Sequence, residues 1–311
     1  MAKQLVRKPE FFIVGAPRSG TTALHSYLAG HPQIFMNEVK REVYYFGSDL
    51  HYHKWPRPET IQQYLRLFVR APSGARIGER SATYFHSRNA ASEIREFNPS
   101  AKIIIMLRDP VDMMYSLHGL LLFIGFETLT DFEAALCAEK ERKLGHGLPN
   151  RPHIREPLFY RDVAKLTEHV SRYLDVFGRE KVHLIIFDDF VKDTAWVYHE
   201  TLRFLNLDPD CRTSFPRVNE NFVARSEFLN SFTRRPPALV RTVAEGLLGR
   251  KVVSRCAEIV SGWNAVRRPR APLHPELNKR LRTEFRPEME RLSALLGRDL
   301  SFWNDLPGEG A

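Results

Sequence analysis

Eight consecutive residues, Gly15-Ala16-Pro17-Arg18-Ser19-Gly20-Thr21-Thr22, carry the clearest chemistry in the chain. Glycines five positions apart let a backbone curl so that its N–H groups turn inward onto an anion. Arg18, Ser19, Thr21 and Thr22 add side-chain donors. The frame is that of a phosphate loop, G-x-x-x-x-G-K-[ST], except that Thr21 stands at the lysine position and an arginine sits inside the loop. A kinase or ATPase places that lysine on the β- and γ-phosphates beside a Mg²⁺ site. Its replacement points to an anionic donor without a γ-phosphate and with little need of metal. A second anchor is Arg108, followed by Asp109-Pro110 and, eight residues after the arginine, by Ser116. A planar guanidinium fork suits a phosphate dianion, and Ser116 offers a hydroxyl. Arg108 could equally pair with Asp109 or Asp112.

These groups need elements to hold them. Phe11-Phe12-Ile13-Val14 reads as a buried strand ending at Gly15, and Thr21 to Leu28 as a helix closed by Gly30 and Pro32. The loop therefore joins a strand to the positive end of a helix. Lys102 to Leu107 predicts a second buried strand that ends at Arg108, in the crevice where open α/β sheets bind ligands. Asp109 is placed to cap the next helix and Pro110 to open it. Val182 to Phe187 predicts a third strand, followed by a helix near Ala195 to Leu205. Ile77-Gly78-Glu79 is a short strand, and helical patterns run over Ala90 to Phe97, Arg161 to Phe177 and Pro275 to Leu296. Alternating strands and helices predict an α/β fold, P-loop-like, with three α/β/α layers and a mostly parallel central sheet. The arginine-rich stretch from Arg217 to Arg270, with Pro236-Pro237 and weak strand signal, reads as a helical or irregular flap over 217–272. With no internal repeat and no low-complexity linker, residues 1–311 are expected to form a single domain.

The formal net charge of +9 and pI of about 9.5 favour anionic partners. Nucleic acid is not expected among them, because zinc-finger spacing, an RNP-type strand and interleaved basic and aromatic residues are all missing. Cys137, Cys211 and Cys256 are far apart and odd in number, which argues against a disulfide framework or a metal knuckle, so no metal is expected. The start of the sequence has no apolar signal-like core, and no apolar run approaches the roughly 18 residues of a membrane span. A cytoplasmic location is the expectation.

The loop at 15–22 resembles the 5′-phosphosulfate loop of sulfotransferases that use 3′-phosphoadenosine 5′-phosphosulfate (PAPS), and Arg108-Asp109-Pro110 with Ser116 resembles their 3′-phosphate site. Gly78-Glu79-Arg80-Ser81-Ala82-Thr83-Tyr84-Phe85 is similar to the Glu-Lys-Thr-Pro-x-Tyr-Phe stretch of the heparan-sulfate-type and related bacterial enzymes, and the segment from Leu295 to Trp303 to a common C-terminal pattern. The resemblance implies a PAPS-dependent enzyme that releases 3′,5′-ADP and needs no metal. Arg18, usually Lys in the family, is then expected on the leaving oxygen. Ser19, Gly20, Thr21 and Thr22 would hold the 5′-phosphosulfate, and Arg108 and Ser116 the 3′-phosphate. Tyr160 and Arg225 are further candidates for adenine and 3′-phosphate contacts.

Sulfonate transfer also requires a group that accepts the acceptor's proton. Lys40-Arg41-Glu42-Val43-Tyr44-Tyr45-Phe46 resembles the Lys-Glu-x-His-Phe-Phe motif whose Glu is taken as the base, which puts Glu42 in that role. Tyr44 replaces the family's His, and Gly47 its Asp, which disfavours a heparan acceptor. Arg80 replaces a Lys, and with Tyr44 and His86 it is a candidate for the acceptor side. Glu42 could instead be a surface carboxylate paired with Lys40 or Arg41. His86 and His118 are the alternative bases, since cytosolic relatives use His. Two other readings compete: a P-loop small-molecule kinase using ATP and Mg²⁺, and a non-catalytic protein that binds the nucleotide and transfers nothing. The acceptor could be a glycan, lipid or natural product carrying a hydroxyl or amine; the sequence does not name it or the oligomeric state.

Overall fold

The computed structural model describes residues 7–37, 42–52, 57–149, 154–209, 212, 214–216, 222–225, 246–247, 249–267 and 270–304. Its centre is a parallel sheet of β1 (Phe11–Gly15), β2 (Ile34–Met36), β3 (Arg76–Arg80), β4 (Lys102–Leu107) and β5 (Val182–Ile186), in the order β2-β3-β1-β4-β5. β1 is flanked by β3, with Phe11 opposite Gly78, and by β4, with Phe11 opposite Lys102. The chain leaves β1 toward β2 and β3 and then crosses to β4 on the other side. The reversal of strand order thus falls between β1 and β4, where open sheets place their ligands.

Alternation along the strands builds both faces of the core. Phe12, Val14, Ile103, Ile105 and Leu107 point to one face, under α3 (Ala90–Phe97), α4 (Pro110–Ile124), α8 (Leu166–Phe177) and α12 (Pro275–Leu296). Phe11, Ile13, Ile104 and Met106 point to the other, under α1 (Thr21–Leu28) and α10 (Thr194–Phe204). This is the three-layer α/β/α arrangement that the sequence predicts. The remaining helices are α2 (Ile61–Arg66), α5 (Phe132–Cys137), α6 (Glu139–Lys143), α7 (Tyr160–Val163), α9 (Phe187–Lys192) and α11 (Arg250–Asn264). β6 (Phe222–Ala224) and β7 (Ala265–Arg267) form an antiparallel pair.

Four strands and four helices of the sequence reading lie within a residue of their expected bounds. The helix expected over Arg161 to Phe177 is two, α7 and α8, with Ala164 and Lys165 between them. Of the 217–272 flap, the described part holds β6, α11 and β7; the rest of that expectation, with Lys40, Arg41 and Cys211, lies outside the described residues. Among the described residues no helix is long and apolar enough to cross a membrane.

Candidate functional site: a cationic cradle at the β1–β4 edge

The loop after β1 is fixed by a few contacts. Ala16 N–H donates to the carbonyl of Met106 in β4 at 2.7 Å, pinning the loop to the neighbouring strand end. Gly15 has φ +152°, and a Cβ there would lie 2.4 Å from Cβ of Phe85. Gly20 precedes α1 in the left-handed region at φ +89°, with Met106 and the Phe187 ring both 3.1 Å from where a Cβ would stand. Glycine is the residue that adopts this geometry without strain. No side chain caps α1, and its first turn holds no acidic residue. The free N–H groups and positive end of α1 therefore face the loop, where an anion is favoured. Ser19 and Thr21 are buried beside them and Thr22 is half-buried. Arg18 itself lies at φ 61°, a left-handed conformation uncommon outside glycine.

The two motifs read separately in the sequence meet here. Arg18 Nε donates to Ser116 Oγ at 2.9 Å, and Arg108 Nη1 donates to the backbone carbonyl of Arg18 at 3.3 Å. Arg108 leaves the end of β4 with its guanidinium 4.8 Å from the Phe187 ring centroid, so the ring beneath Gly20 also supports Arg108. Its other contact is a 3.3 Å ion pair with the exposed Asp112. Asp109 is not its partner. That carboxylate caps α4 through Val111 N–H and Asp112 N–H and takes a 2.7 Å bond from Arg282 of α12.

A third guanidinium, Arg270, completes the cluster. It lies over the Tyr115 ring at 4.4 Å, and its buried Nη1 has no hydrogen-bond partner among the described residues. Burial first, and then the positive charges of Arg270 and Arg108, pull the Arg18 guanidinium down to about 10. Arg270 is lowered by burial and by Arg108. Like charges gathered at a half-buried strand edge repel one another, and an anion of two or more charges offsets that repulsion. Sequence reasoning missed Arg270 and Phe187. Their signals were faint: one arginine among several in Arg267-Arg268-Pro269-Arg270, and the last apolar residue of the third strand pattern.

The C-terminal motif buttresses this edge. Arg298 pairs with Asp189 at the start of α9, Trp303 Nε1 donates to Asp188 at 2.9 Å, and Arg282 donates to the Trp303 carbonyl. Those contacts hold Phe187 and Asp109, the residues that border Arg108.

On the β3 side, Glu42 accepts a 2.5 Å bond from Arg80 Nη1 and a 3.2 Å bond from Ala82 N–H. The Ala82 carbonyl lies 3.0 Å from where a Gly15 Cβ would be, so the Glu42 carboxylate is anchored one residue from the loop's entrance. Arg80 is buried, and among the described residues it is the cation that pairs with Glu42. Tyr44, at φ 56°, hydrogen-bonds Glu42 through its hydroxyl. Its phenol is raised well above the usual value, by burial first and then by Glu42. Tyr44 thus takes up the carboxylate where the resembling motif has a histidine.

Other candidates are placed elsewhere. Tyr160 is fully buried and donates to Glu127 at 2.9 Å, and Glu127 is held by Arg142 through two 2.7 Å bonds. The structure therefore does not bring Tyr160 to the cradle: burial leaves its ring no open face, and its hydroxyl serves an internal ion pair. Arg225 is exposed beyond β6, its N–H donating to the Asn264 carbonyl. His86 lies toward His169, Asp49 and Arg172, its ring nitrogens without partners among the described residues, and burial lowers it to about 3. His118 bonds the Leu129 carbonyl at 2.8 Å and is lowered by burial. Neither histidine has a bond to the cradle.

Comparison with known proteins identifies the family. A family model described as "Sulfotransferase domain" matches residues 8–293. The chain is 29% identical over 224 residues to mouse bifunctional heparan sulfate N-deacetylase/N-sulfotransferase 4, a match covering 65% of this chain and 22% of that protein. It is 25% identical over 290 residues to mouse carbohydrate sulfotransferase 15, covering 73% of this chain and 48% of the other. The chain thus spans between a fifth and a half of the length of these relatives. A crystal structure of a sulfotransferase from Alicyclobacillus acidocaldarius superposes with a TM-score of 0.70 at 28% identity, covering 96% of this chain and all of that one. With a family match over nearly its whole length, the chain belongs to the sulfotransferase-domain family.

Proposed function

We propose that this protein transfers a sulfonate group from PAPS to a hydroxyl or amine of an acceptor and releases 3′,5′-ADP. The observation that carries the reading is the meeting of Arg18, Ser116 and Arg108 at the β1–β4 edge, three donors drawn from two motifs about ninety residues apart in sequence. In this reading the loop N–H groups with Ser19, Thr21 and Thr22 hold the 5′ end, and Arg108, Ser116 and Arg270 hold the 3′-phosphate. Such a donor supplies an activated sulfonate on a phosphate leaving group. Arg18 offsets negative charge on the oxygen that departs, and the anion at the loop competes with Ser116 for its guanidinium. Glu42 accepts the acceptor's proton as the new bond to sulfur forms and the bridging S–O bond breaks. Arg80 and Tyr44 orient that carboxylate.

The relatives are named for heparan sulfate and carbohydrate, which makes a sugar hydroxyl or amine the first acceptor to test. Tyr44 and Gly47 where a heparan-type motif has His and Asp favour a different sugar or a non-glycan acceptor. The test is thermal melting with 3′,5′-ADP against ATP with Mg²⁺, followed by labelled PAPS with an acceptor panel. Stabilisation by 3′,5′-ADP alone is expected; stabilisation by ATP–Mg²⁺ alone would restore the kinase reading.

A further inference from the structure

The arm that carries Glu42 belongs to no helix or strand, so its backbone polar groups need partners from side chains. Six successive N–H groups find them. Val43 and Tyr44 donate to Ser81 Oγ at 2.9 and 3.1 Å, Tyr45 and Phe46 to the Tyr84 hydroxyl at 2.7 and 3.1 Å, and Gly47 and Ser48 to Glu93 at 2.6 and 3.1 Å. A hydroxyl has two acceptor lone pairs and one proton. With both lone pairs of Ser81 occupied by arm N–H groups, its proton is left for Glu79 Oε1, 2.9 Å away. Tyr84 is constrained in the same way, and its hydroxyl also bonds Glu79. Tyr64 of α2 supplies a third donor to the same carboxylate.

We propose that Glu79 is a positioning residue for sulfonate transfer, its fully buried carboxylate orienting the Ser81 and Tyr84 hydroxyls that hold the Glu42 arm. The inference rests on the reading of Glu42 as the base. Every neighbour that bonds Glu79 is a donor, so an ionised carboxylate satisfies all of them. A protonated one adds a donor that faces other donors. Burial works against ionisation and, with the negative charge of Glu42 adding to it, pushes Glu79 up to about 7, while the bonds from Tyr64, Tyr84 and Ser81 pull it down. Arg80, next in sequence, is engaged by Glu42. The arm is thus held above about pH 7 and loosened below it. Folding stability has the opposite sense. A carboxyl raised from its usual 4.5 to about 7 contributes stability that is full below about 4.5 and lost as pH rises through about 7.

Glu79→Gln keeps the size and presents an amide donor to the hydroxyls. Hydrogen exchange of the amides of residues 43–46 is expected to speed up and to lose its dependence on pH near 7. Affinity for 3′,5′-ADP should stay unchanged while kcat falls about 10²-fold, the size expected of a misplaced group. The double variant with Glu42→Gln should be no slower than Glu42→Gln alone. Ser81→Ala, the milder change, should release only the amides of Val43 and Tyr44, and Tyr64→Phe should release none of the four. Exchange at 43–46 equal to wild type in both Glu79→Gln and Ser81→Ala overturns the relay. If exchange responds as expected but Glu42→Gln retains normal turnover, the base assignment fails and the relay stands, so the two failures are told apart.

Discussion

Arg108→Ala separates the cradle reading from an ordinary surface ion pair. Among the described residues Arg108 makes two 3.3 Å contacts, to the Arg18 carbonyl and to a half-exposed Asp112, and rests on Phe187. An exposed pair of this kind contributes about 0–1 kcal/mol, and a cation over an aromatic ring about 0.5–1 kcal/mol. Removing one of three mutually repelling guanidiniums returns part of that. The change in folding stability should therefore stay within about 1 kcal/mol, a melting shift of a few degrees at most. Binding should respond far more. Hydrogen bonds to charged groups are worth about 1.5–3 kcal/mol each, so losing a bidentate grip on a phosphate should cost about 3–5 kcal/mol. At 1.4 kcal/mol per tenfold, affinity should fall about 10²- to 4 × 10³-fold. Calorimetric titration with 3′,5′-ADP measures the loss, and adenosine 5′-monophosphate, which lacks the 3′-phosphate, serves as control. Its affinity should not change. Equal losses for both nucleotides, or no loss for either, would refute a 3′-phosphate role for Arg108.

Further tests follow from the same geometry. Glu42→Gln should lower kcat about 10²- to 10⁴-fold while leaving 3′,5′-ADP affinity intact, read by single-turnover transfer from labelled PAPS. Gly20→Ala forces a side chain into the left-handed region and against Phe187, and should cost about 1–2 kcal/mol of stability by denaturant titration, with weaker nucleotide binding. Tyr160→Phe removes one bond from the buried Glu127–Arg142 pair and should destabilise the fold by about 1–3 kcal/mol without altering 3′,5′-ADP affinity. A selective loss of affinity there would instead place Tyr160 at the nucleotide.

Local signals were enough wherever the chemistry of one segment forces its conformation. Gly15 and Gly20 bracket the loop because the turn requires positive φ at both, and Asp109-Pro110 starts α4 because the carboxylate caps and the proline fits the first helical turn. Arg18, Arg108 and Ser116 were legible as candidates for the same reason: their residue types and spacing are those a phosphate site would use, and the structure brings the three together. Glu42 was legible as a carboxylate, but its partners were not. Among the described residues its bonds come from Arg80 and Ala82, some forty residues on, because β3 ends beside β1. Tyr160 failed in the opposite way. A tyrosine near a phosphate motif in a resembling family looks like a nucleotide contact, yet a buried ion pair consumed its hydroxyl.

The sequence by itself therefore determined the parts: a strand–loop–helix with free N–H groups, a second arginine at a strand end, and an α/β alternation that brings both to one edge. Tertiary structure decided the partnerships. Arg270 joins Arg18 and Arg108, Glu79 gathers three hydroxyls, and Asp109 turns to Arg282, because each of these contacts spans a gap in sequence that only the sheet order closes. Capping and turn chemistry act over a few residues and are written locally. Pairing among buried charges depends on which side chains the fold leaves without water, and that is a property of the assembled core.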